Sequence, residues 1–267
     1  MSGWNPDQYL KFAEERTRPC QELAARIGAE RVRRIIDLGC GPGNSTRVLA
    51  ARWPHAEITG LDSSPEMIAA ARESALEVRW VLGDIAEWAA GGGGEFDIVF
   101  SNAALQWVRD HAAVFPRLFA RVAAGGALAV QVPGNYDAPQ HRLLREMAAR
   151  PAWRRWCSGG MHDWHSHELD FYYDLLAPLA GRLDLWATEY AHILPGPEGI
   201  VEWYRGTGMR PYLEAISSLE ERERFAAEFL EGVRGLYPAR RDGRVLFPFR
   251  RNFVVAYGRL HSENAGC

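Results

Sequence analysis

The sequence has few cysteines, and they are not arranged to bind a metal ion or to build a disulfide framework. The four lie far apart without a CxxC pair, at Cys20, Cys40, Cys157 and Cys267. Dense cysteine frameworks are typical of small secreted domains, whereas proteins of the reducing cytoplasm lack them. The first residues also lack the basic and then apolar segments of a secretory signal. We therefore expect a cytoplasmic protein.

Long apolar runs and an excess of positive charge are also missing. The longest apolar runs, such as residues 126–130, are far shorter than the roughly 20 residues that span a bilayer. The formal net charge is −3, whereas nucleic-acid or membrane-surface partners normally require a basic excess. We expect neither partner. Lys11 is the only lysine, so the cations are nearly all arginines. This bias reflects genomic composition or suits carboxylate binding by the guanidinium fork.

The rest of the composition is that of an ordinary globular protein, with 47% hydrophobic and 24% charged residues among 267. In the first half, short apolar runs alternate with amphipathic segments. The predicted strands cover residues 32–37, 56–61, 78–82, 96–100 and 127–132, and the predicted helices cover 44–53, 64–74 and 111–122. This alternation is typical of parallel βαβ units with helices on both faces of one sheet.

The second half breaks this rhythm. Segments 138–150, 171–179 and most of 199–237 have helical patterns, 183–194 and 249–257 have strand patterns, and 151–170 is irregular and rich in aromatics. The prediction is therefore an α/β, Rossmann-like fold with a seven-stranded, mostly parallel sheet and a mainly helical cap insertion. We predict a helical amino-terminal lid at 1–30, broken in two by Pro19. The core takes 31–135 and part of 171–260, and the cap or substrate region takes 136–170 and 196–240.

The strongest functional signal is the segment DLGCGPGN at residues 37–44, between the first predicted strand and helix. Ligands of open parallel sheets bind at the carboxyl ends of the strands. Glycines there allow backbone N–H groups to approach a ligand closely, because no Cβ intervenes. The glycines fall at every second position, unlike the GxGxxG spacing of dinucleotide folds. The pattern favours a ligand without phosphates, and a purely structural turn is the alternative.

Two carboxylates follow the next two predicted strands. Asp62 ends the second strand, where an acidic residue accepts hydrogen bonds from ribose hydroxyls in dinucleotide folds. The alternative is a helix N-cap, a role that Ser63 or Ser64 can fill. Asp84 follows the third strand, where its carboxylate suits an adenine amino group. A solvent-facing turn residue is the alternative there.

In combination and in order, these motifs resemble the class I S-adenosylmethionine-dependent methyltransferases over roughly residues 33–132. The resemblance implies S-adenosylmethionine as cofactor. It implies that the three glycines line the methionine and ribose portions, that Asp37 faces the amino group and that Asp62 holds the ribose. Asp84 and Ile85 would contact the adenine, and Ser101 or Asn102 would border the sulfonium. The full predicted cofactor-binding set is Asp37, Gly39, Gly41, Gly43, Asn44, Asp62, Ser63, Asp84, Ile85 and Asn102.

A closer resemblance, to the trans-aconitate 2-methyltransferase family, runs over nearly the whole chain. It rests on six short segments, at residues 4–6 (Trp-Asn-Pro), 9–10 (Tyr-Leu), 15–19 (Glu-Arg-Thr-Arg-Pro), 62–65 (Asp-Ser-Ser-Pro), 102–107 (Asn-Ala-Ala-Leu-Gln-Trp) and 207–211 (Thr-Gly-Met-Arg-Pro). Residues 150–168 depart from the family pattern. The resemblance implies methyl transfer to one carboxylate of a small tricarboxylic acid, giving a monomethyl ester. Two alternatives stay open: a methyltransferase for another small or acyl-carrier-linked carboxylate, and a nucleotide-cofactor-binding protein that transfers no methyl group.

A carboxylate acceptor is already ionised at neutral pH, so we name no catalytic acid or base. The acceptor's other carboxylates need cations, and aromatic side chains can wall the pocket. The candidate substrate residues are Arg16, Arg210, Trp107, Tyr9 and Tyr172, with Arg250 or Arg251 as further cations. The alternatives are surface arginines and core aromatics.

The histidines at 162, 165 and 167 raise the question of a metal site, because three imidazoles beside an acid can hold zinc. Their i, i+3, i+5 spacing is no recognised ligand pattern, so we predict no metal. The expected partner is a small carboxylic acid, and the expected assembly is a monomer or a weak homo-oligomer.

Overall fold

The computed structural model describes residues 13–92, 94–157 and 164–260. For residues 13–16 it describes the backbone alone. Seven strands form one sheet in the order β3-β2-β1-β4-β5-β7-β6. They are β1 Arg34–Leu38, β2 Glu57–Asp62, β3 Arg79–Leu82, β4 Phe96–Asn102, β5 Val122–Pro133, β6 Arg182–Leu194 and β7 Val245–Tyr257. Pairings among β1 to β5 are parallel, and β7 runs antiparallel to β5. The predicted Rossmann-like α/β fold is confirmed.

The helices between the strands complete the βαβ units. In the first half they are α1 Ala13–Arg26, α2 Asn44–Arg52, α3 Pro65–Arg72, α4 Ile85–Ala90 and α5 His111–Phe119, with a 3₁₀ turn at Leu105–Trp107. In the second half they are α6 Pro139–Ala149, α7 Pro151–Cys157, α8 Leu169–Leu176, α9 Pro197–Arg205, α10 Arg210–Ala215 and α11 Leu219–Leu236. None of these helices is both long and apolar enough to cross a membrane.

The strand order reverses at β1, and this reversal determines where a ligand can bind. β1 lies between β2 and β4, with Ile35 paired to Ile58 on one side and to Ile98 on the other. The crossovers from β1 therefore leave a crevice at the carboxyl ends of β1 and β4. Residues 35–38 of β1 are all buried, as expected for a central strand covered on both faces.

Two local predictions need correction. Pro19 does not break the first helix, because α1 continues through it. A proline inside a helix costs about 3 kcal/mol, but Cys20, Leu23 and Ile27 are buried beyond it and stabilise the continued helix by packing. Residues 151–157, expected to be irregular, form α7, where Trp153 is fully buried and donates to Glu228.

The chain divides into two compact units. Of the described residues, the sheet unit comprises 13–134, 165–188 and 251–260, and the cap unit comprises 135–157, 164 and 189–250. These limits differ from the predicted cap at 136–170 and 196–240. The described part of the predicted lid, α1, belongs to the sheet unit, and residues 1–12 lie outside the described residues.

Each unit has its own core. In the sheet unit, side chains from the central strands pack with those of α5 and α8, including Val99, Phe115 and Leu128. In the cap unit the core is aromatic, with Tyr204, Phe229 and Phe247 each no more than 1% exposed. Both units therefore bury enough apolar surface to hold rigid backbone positions for a site.

Candidate cofactor and substrate site

The glycine-rich segment after β1 is a turn that only glycine adopts without strain. Gly39, Gly41 and Gly43 have φ angles of 74°, 55° and 94°, in the left-handed region that L side chains rarely adopt. At Gly39 a Cβ would lie 2.2 Å from the Cβ of Ala104. The N–H groups of Gly39 and Cys40 both donate to the carbonyl of Leu61. The turn is therefore fixed to β2 and held close to the segment after β4.

Gly41 is the least crowded glycine of this turn. A Cβ at Gly41 would meet no protein atom within 4 Å, so this position is open rather than packed. Its N–H donates to Oδ2 of Asp62 over 2.9 Å. The glycine thus leaves space at the sheet edge, and its backbone is tied to the carboxylate that ends β2.

Asp62 joins two backbone segments at the end of β2. Its Oδ2 atom accepts from the Gly41 N–H, and its Oδ1 atom accepts from the Ser64 N–H at 2.9 Å. Each carboxylate oxygen can accept a second hydrogen bond, so capacity for a diol remains. Burial raises the pKa of Asp62, while these backbone hydrogen bonds oppose the increase. The N-cap role, the alternative considered for Asp62, is filled by Ser64 as expected, since its Oγ accepts from the Met67 N–H.

Asp37 occupies a different environment from Asp62. It is fully buried, and its Oδ2 atom accepts from the hydroxyls of Ser45 and Thr46, each at 2.6 Å. Its Oδ1 atom has no hydrogen-bond partner among the described residues. Burial raises the pKa of Asp37 to about 6. The carboxylate therefore fastens α2 to β1, a role that the sequence did not indicate.

Asp84 and Ile85 mark the end of β3. Asp84 is exposed and caps α4, because its Oδ1 atom accepts from the Glu87 N–H at 3.0 Å. The other carboxylate oxygen remains available to a donor such as an amino group. Ile85 is 7% exposed and supplies an apolar surface next to it.

The segment after β4 forms the opposite wall. Ser101 is buried, and its hydroxyl donates to the Leu38 carbonyl at 2.9 Å. The Oδ1 atom of Asn102 is buried and without a partner in the described part of the chain. Ala103 has a φ of 54°, which is uncommon for a residue with a Cβ. Such strain is often found at functional sites.

These elements enclose a cavity of about 150 Å³ within the sheet unit. Its lining residues come from the glycine turn, the ends of β2 to β4, the first turn of α3 and the region of the 3₁₀ turn: Gly39, Gly41, Asp62, Ser63, Met67, Asp84, Ile85, Asn102, Ala103, Ala104, Trp107 and Val108. Small-molecule sites usually measure about 300–1,000 Å³, so these residues enclose only part of such a ligand. A larger cavity of about 670 Å³ lies around Arg31, Tyr257 and Arg259. None of the predicted site residues lines it, whereas eight of them line the smaller cavity, which is therefore the candidate site.

Eight predicted residues therefore lie around one cavity, seven of them in the cofactor set and one, Trp107, in the substrate set. Asp37, Gly43 and Asn44 do not line it. The sequence reasoning missed Met67, Ala103, Ala104 and Val108. The two alanines lie directly after the buried strand β4, and this position is the sequence signal that points to them.

The remaining residues predicted to bind the substrate lie in different parts of the structure or outside the described residues. Tyr9 lies outside the described residues, as does the side chain of Arg16. Tyr172 is fully buried in the core of the sheet unit, and burial removes it from the residues that can contact a substrate in this structure. Arg210 begins α10 in the cap unit, and its Nε atom lies 3.4 Å from a Glu214 carboxylate oxygen.

The further arginine candidates also differ in environment. Arg251 is buried in the sheet unit and donates to the side-chain oxygen of Gln131 at 3.3 Å. Arg250 is the last residue of the cap unit.

Among the residues that the structure describes, no group of three or more histidine, cysteine, aspartate or glutamate side chains could hold a metal ion. His162 lies outside those residues. The ring of His167 stacks on Phe171, with 3.8 Å between centroids.

Gly41→Ala tests whether the open glycine contacts the ligand. The added Cβ meets no protein atom but occupies the cavity, and the positive φ adds about 1 kcal/mol of strain. We expect S-adenosylhomocysteine to bind about tenfold more weakly by isothermal titration calorimetry, a change of about 1.4 kcal/mol. Gly235→Ala, within α11 and equally uncrowded, is the control. Equal affinities for the two variants would show that Gly41 does not touch the ligand.

A family model described as a methyltransferase domain matches residues 35–126. The chain is 45% identical to the trans-aconitate 2-methyltransferase of Azoarcus sp. (strain BH72), over 96% of this chain and 99% of that protein. It is 44% identical to the protein of that name from Paracidovorax citrulli (strain AAC00-1), over 96% of this chain and 98% of that one. The similarity thus extends through both units and far beyond the matched domain.

Solved structures share the fold at much lower identity. The YcgJ protein from Bacillus subtilis superposes with a TM-score of 0.58 at 14% identity, covering 92% of this chain and 99% of that one. Phosphoethanolamine N-methyltransferase 2 from Haemonchus contortus, in complex with S-adenosyl-L-methionine, gives 0.53 at 18% identity, covering 91% and 52%. At these identities the superpositions establish the architecture only.

Proposed function

The chain belongs to the trans-aconitate 2-methyltransferase family, and we propose that it methylates one carboxylate of a small tricarboxylic acid such as trans-aconitate. The methyl donor is S-adenosylmethionine, and the products are a monomethyl ester and S-adenosylhomocysteine. The observation that carries the proposal is the open cavity beside Gly41 and Asp62, which lies at the edge of the sheet where ligands of this fold bind. The 45% identity to a trans-aconitate 2-methyltransferase supports the same conclusion.

The residues of the cavity fit the adenosyl part of this cofactor. The carboxylate of Asp62 can accept from two ribose hydroxyls, since each of its oxygens retains a free lone pair. Asp84 offers an acceptor next to the apolar side chain of Ile85, which suits an adenine amino group and ring. The open space over Gly41 allows the ligand to approach the backbone.

Among the other residues that line the cavity, Asn102 suits the amino-acid portion of the cofactor. Its Oδ1 atom is an acceptor without a partner among the described residues, and an ammonium group is a donor only. Asp37 is a less direct candidate, because its carboxylate is fully buried and does not line the cavity.

This methyl transfer requires no catalytic acid or base from the protein. When bound, S-adenosylmethionine supplies a methyl group on a positively charged sulfur. A tricarboxylic acid is ionised near pH 7, so no residue of this chain has to remove a proton from it. What the chain contributes is the alignment of oxygen and methyl group and the exclusion of water, and such positioning is worth about 7–11 kcal/mol.

The substrate's remaining carboxylates need cationic partners. Arg210 is proposed for this role because its guanidinium can form two parallel hydrogen bonds to a carboxylate. Its side chain is 27% exposed, so it is partly desolvated without being enclosed. Arg16 and Tyr9 are proposed as further contacts, and Trp107 as an aromatic wall of the cavity.

We further propose that the protein acts in the cytoplasm as a monomer or a weak homo-oligomer. The described cysteines Cys20, Cys40 and Cys157 are free thiols, which suits a reducing compartment. Size-exclusion chromatography with light scattering measures the assembly directly.

The direct test is a methyl-transfer assay across di- and tricarboxylic acids, with mass spectrometry of the products. We expect one methyl group to be added to trans-aconitate, with a higher kcat/KM than for any dicarboxylic acid. Thermal shift by S-adenosylhomocysteine serves as the parallel control for cofactor binding. If S-adenosylhomocysteine raises the melting temperature but no acid is methylated, the proposed substrate is wrong. If S-adenosylhomocysteine causes no thermal shift, the proposed cofactor is wrong as well.

A further inference from the structure

We infer that His111 and Tyr172 form a buried positioning pair for the wall of the cofactor cavity. The pair links the cavity wall, defined as residues 103–108, to the segment 165–168 before α8. The inference rests on the proposed function only in taking this cavity as the cofactor site. It also gives a role to Tyr172, whose burial excludes a direct substrate contact.

The first link is between His111 and the cavity wall. His111, the first residue of α5, is 1% exposed, and its Nε2 atom lies 2.9 Å from the carbonyl oxygen of Leu105. A carbonyl only accepts hydrogen bonds, so Nε2 carries the hydrogen. Leu105 begins the 3₁₀ turn that places Trp107 against the cavity. The imidazole therefore holds the backbone of that turn from behind.

The second link is between His111 and Tyr172. With the hydrogen on Nε2, the Nδ1 atom is an acceptor, and the Tyr172 hydroxyl lies 3.0 Å from it. The hydroxyl donates to Nδ1 and in turn accepts from the His167 N–H at 3.1 Å. Every polar atom of the pair thus has a partner, and the chain of bonds runs from the 3₁₀ turn to the segment before α8.

A second contact joins the same two segments. The His165 N–H donates to the Gln106 carbonyl at 2.9 Å. The Gln106 side chain donates to the carbonyl of Ala103 at 2.7 Å. The 3₁₀ turn is thereby fixed to the segment before α8, and its Gln106 side chain in turn holds the strained Ala103.

The surroundings of the pair keep His111 neutral. Burial, together with the nearby His167 and His165, lowers the pKa of His111 to about 4, although the hydrogen bonds to the carbonyls of Leu105 and Val108 oppose this decrease. The Nδ1 lone pair therefore stays available at neutral pH. The Phe115 ring packs on Tyr172 with 4.7 Å between centroids. Two apolar rings would fill this volume equally well, but they would not fix the orientation of the turn.

Tyr172→Phe tests this inference, because it removes only the hydroxyl and keeps the ring packing. We expect S-adenosylhomocysteine to bind about tenfold more weakly, since two hydrogen bonds that hold the wall are lost. In hydrogen exchange, the amides of Trp107 and Val108, which donate to the carbonyls of Ala104 and Leu105, should lose protection. Amides of the β4 and β5 strands should keep theirs. Tyr173→Phe is the matched control, because Tyr173 is 54% exposed.

Three results would overturn the inference. The first is an unchanged affinity for S-adenosylhomocysteine, and the second is unchanged hydrogen exchange at residues 107 and 108. The third is an equal loss of protection throughout the sheet unit, because that result would indicate a merely structural role. If Tyr172→Phe does not fold, His111→Gln replaces it, keeping a donor for Leu105 but losing the ring acceptor. The same outcomes then apply. If the unmodified protein does not bind S-adenosylhomocysteine, the proposed function fails, while the exchange experiment still tests the positioning.

Discussion

Asp62→Ala is expected to weaken S-adenosylhomocysteine binding by about 100-fold while the sheet stays folded. The substitution removes two hydrogen bonds from ribose hydroxyls to a carboxylate, and at the lower end of their range, about 1.5 kcal/mol each, their loss corresponds to roughly 100-fold. It also leaves the N–H groups of Gly41 and Ser64 without their acceptors, so the glycine turn becomes less well ordered. Isothermal titration calorimetry measures the affinity, and circular dichroism checks the fold.

Two further variants make this prediction specific. Asp62→Asn keeps one acceptor oxygen of the same shape, and we expect an intermediate loss of about tenfold, or about 1.4 kcal/mol. Glu66→Gln is the matched control: Glu66 is an exposed residue of α3 and accepts from the Ser64 hydroxyl at 2.7 Å, but it does not line the cavity. We expect its affinity to stay unchanged. An Asp62→Ala variant that binds within twofold of the unmodified protein would refute the ribose assignment.

Arg210→Ala is expected to raise the KM for the tricarboxylic acid by about 100-fold and to leave S-adenosylhomocysteine affinity unchanged. A two-pronged, charge-assisted contact to a carboxylate is worth about 3 kcal/mol when partly desolvated. Arg210→Lys should recover only part of this, because an ammonium group cannot form the same paired contact. Initial-rate kinetics with each substrate varied in turn separate the two effects.

The control for Arg210 is another arginine of the cap unit. Arg205 pairs with the exposed Glu223 through contacts of 2.6 and 3.0 Å, and exposed pairs of this kind contribute little to stability. We expect Arg205→Ala to leave both kinetic constants within twofold. If Arg210→Ala changed the constants for acid and cofactor equally, its loss would be a general disturbance of the site, and the proposed substrate role would be wrong.

The sheet was predictable because its strands carry a strong local signal. The apolar runs at residues 32–37 and 96–100 lie within one or two residues of β1 and β4, since central strands are buried on both faces. Short elements lack such a signal. The six-residue α4 has room for barely two turns and was not predicted. β7 was expected to begin after Pro248, but it begins at Val245 and includes that proline.

The positions of the cofactor residues were predictable, but their partners were not. Glycines 39 and 41 and the acid at 62 follow buried strands, and parallel strands bring their ends together. The bonds from Ser45 and Thr46 to Asp37 depend on how α2 lies over β1, which no local pattern encodes. Ala103 adopts a positive φ without being a glycine. Tyr172 shows the same limit, because an aromatic residue at helical spacing can lie in a core or in a site.

A crystal structure of the protein with S-adenosylhomocysteine would show directly whether Asp62 holds the ribose. We predict that the ribose hydroxyls lie within about 2.5–3.0 Å of the Asp62 carboxylate oxygens, with the adenine beside Ile85 and the amino-acid portion near Asn102. Density for the ligand in the larger cavity around Arg31 and Tyr257, or a ribose out of reach of Asp62, would contradict the account.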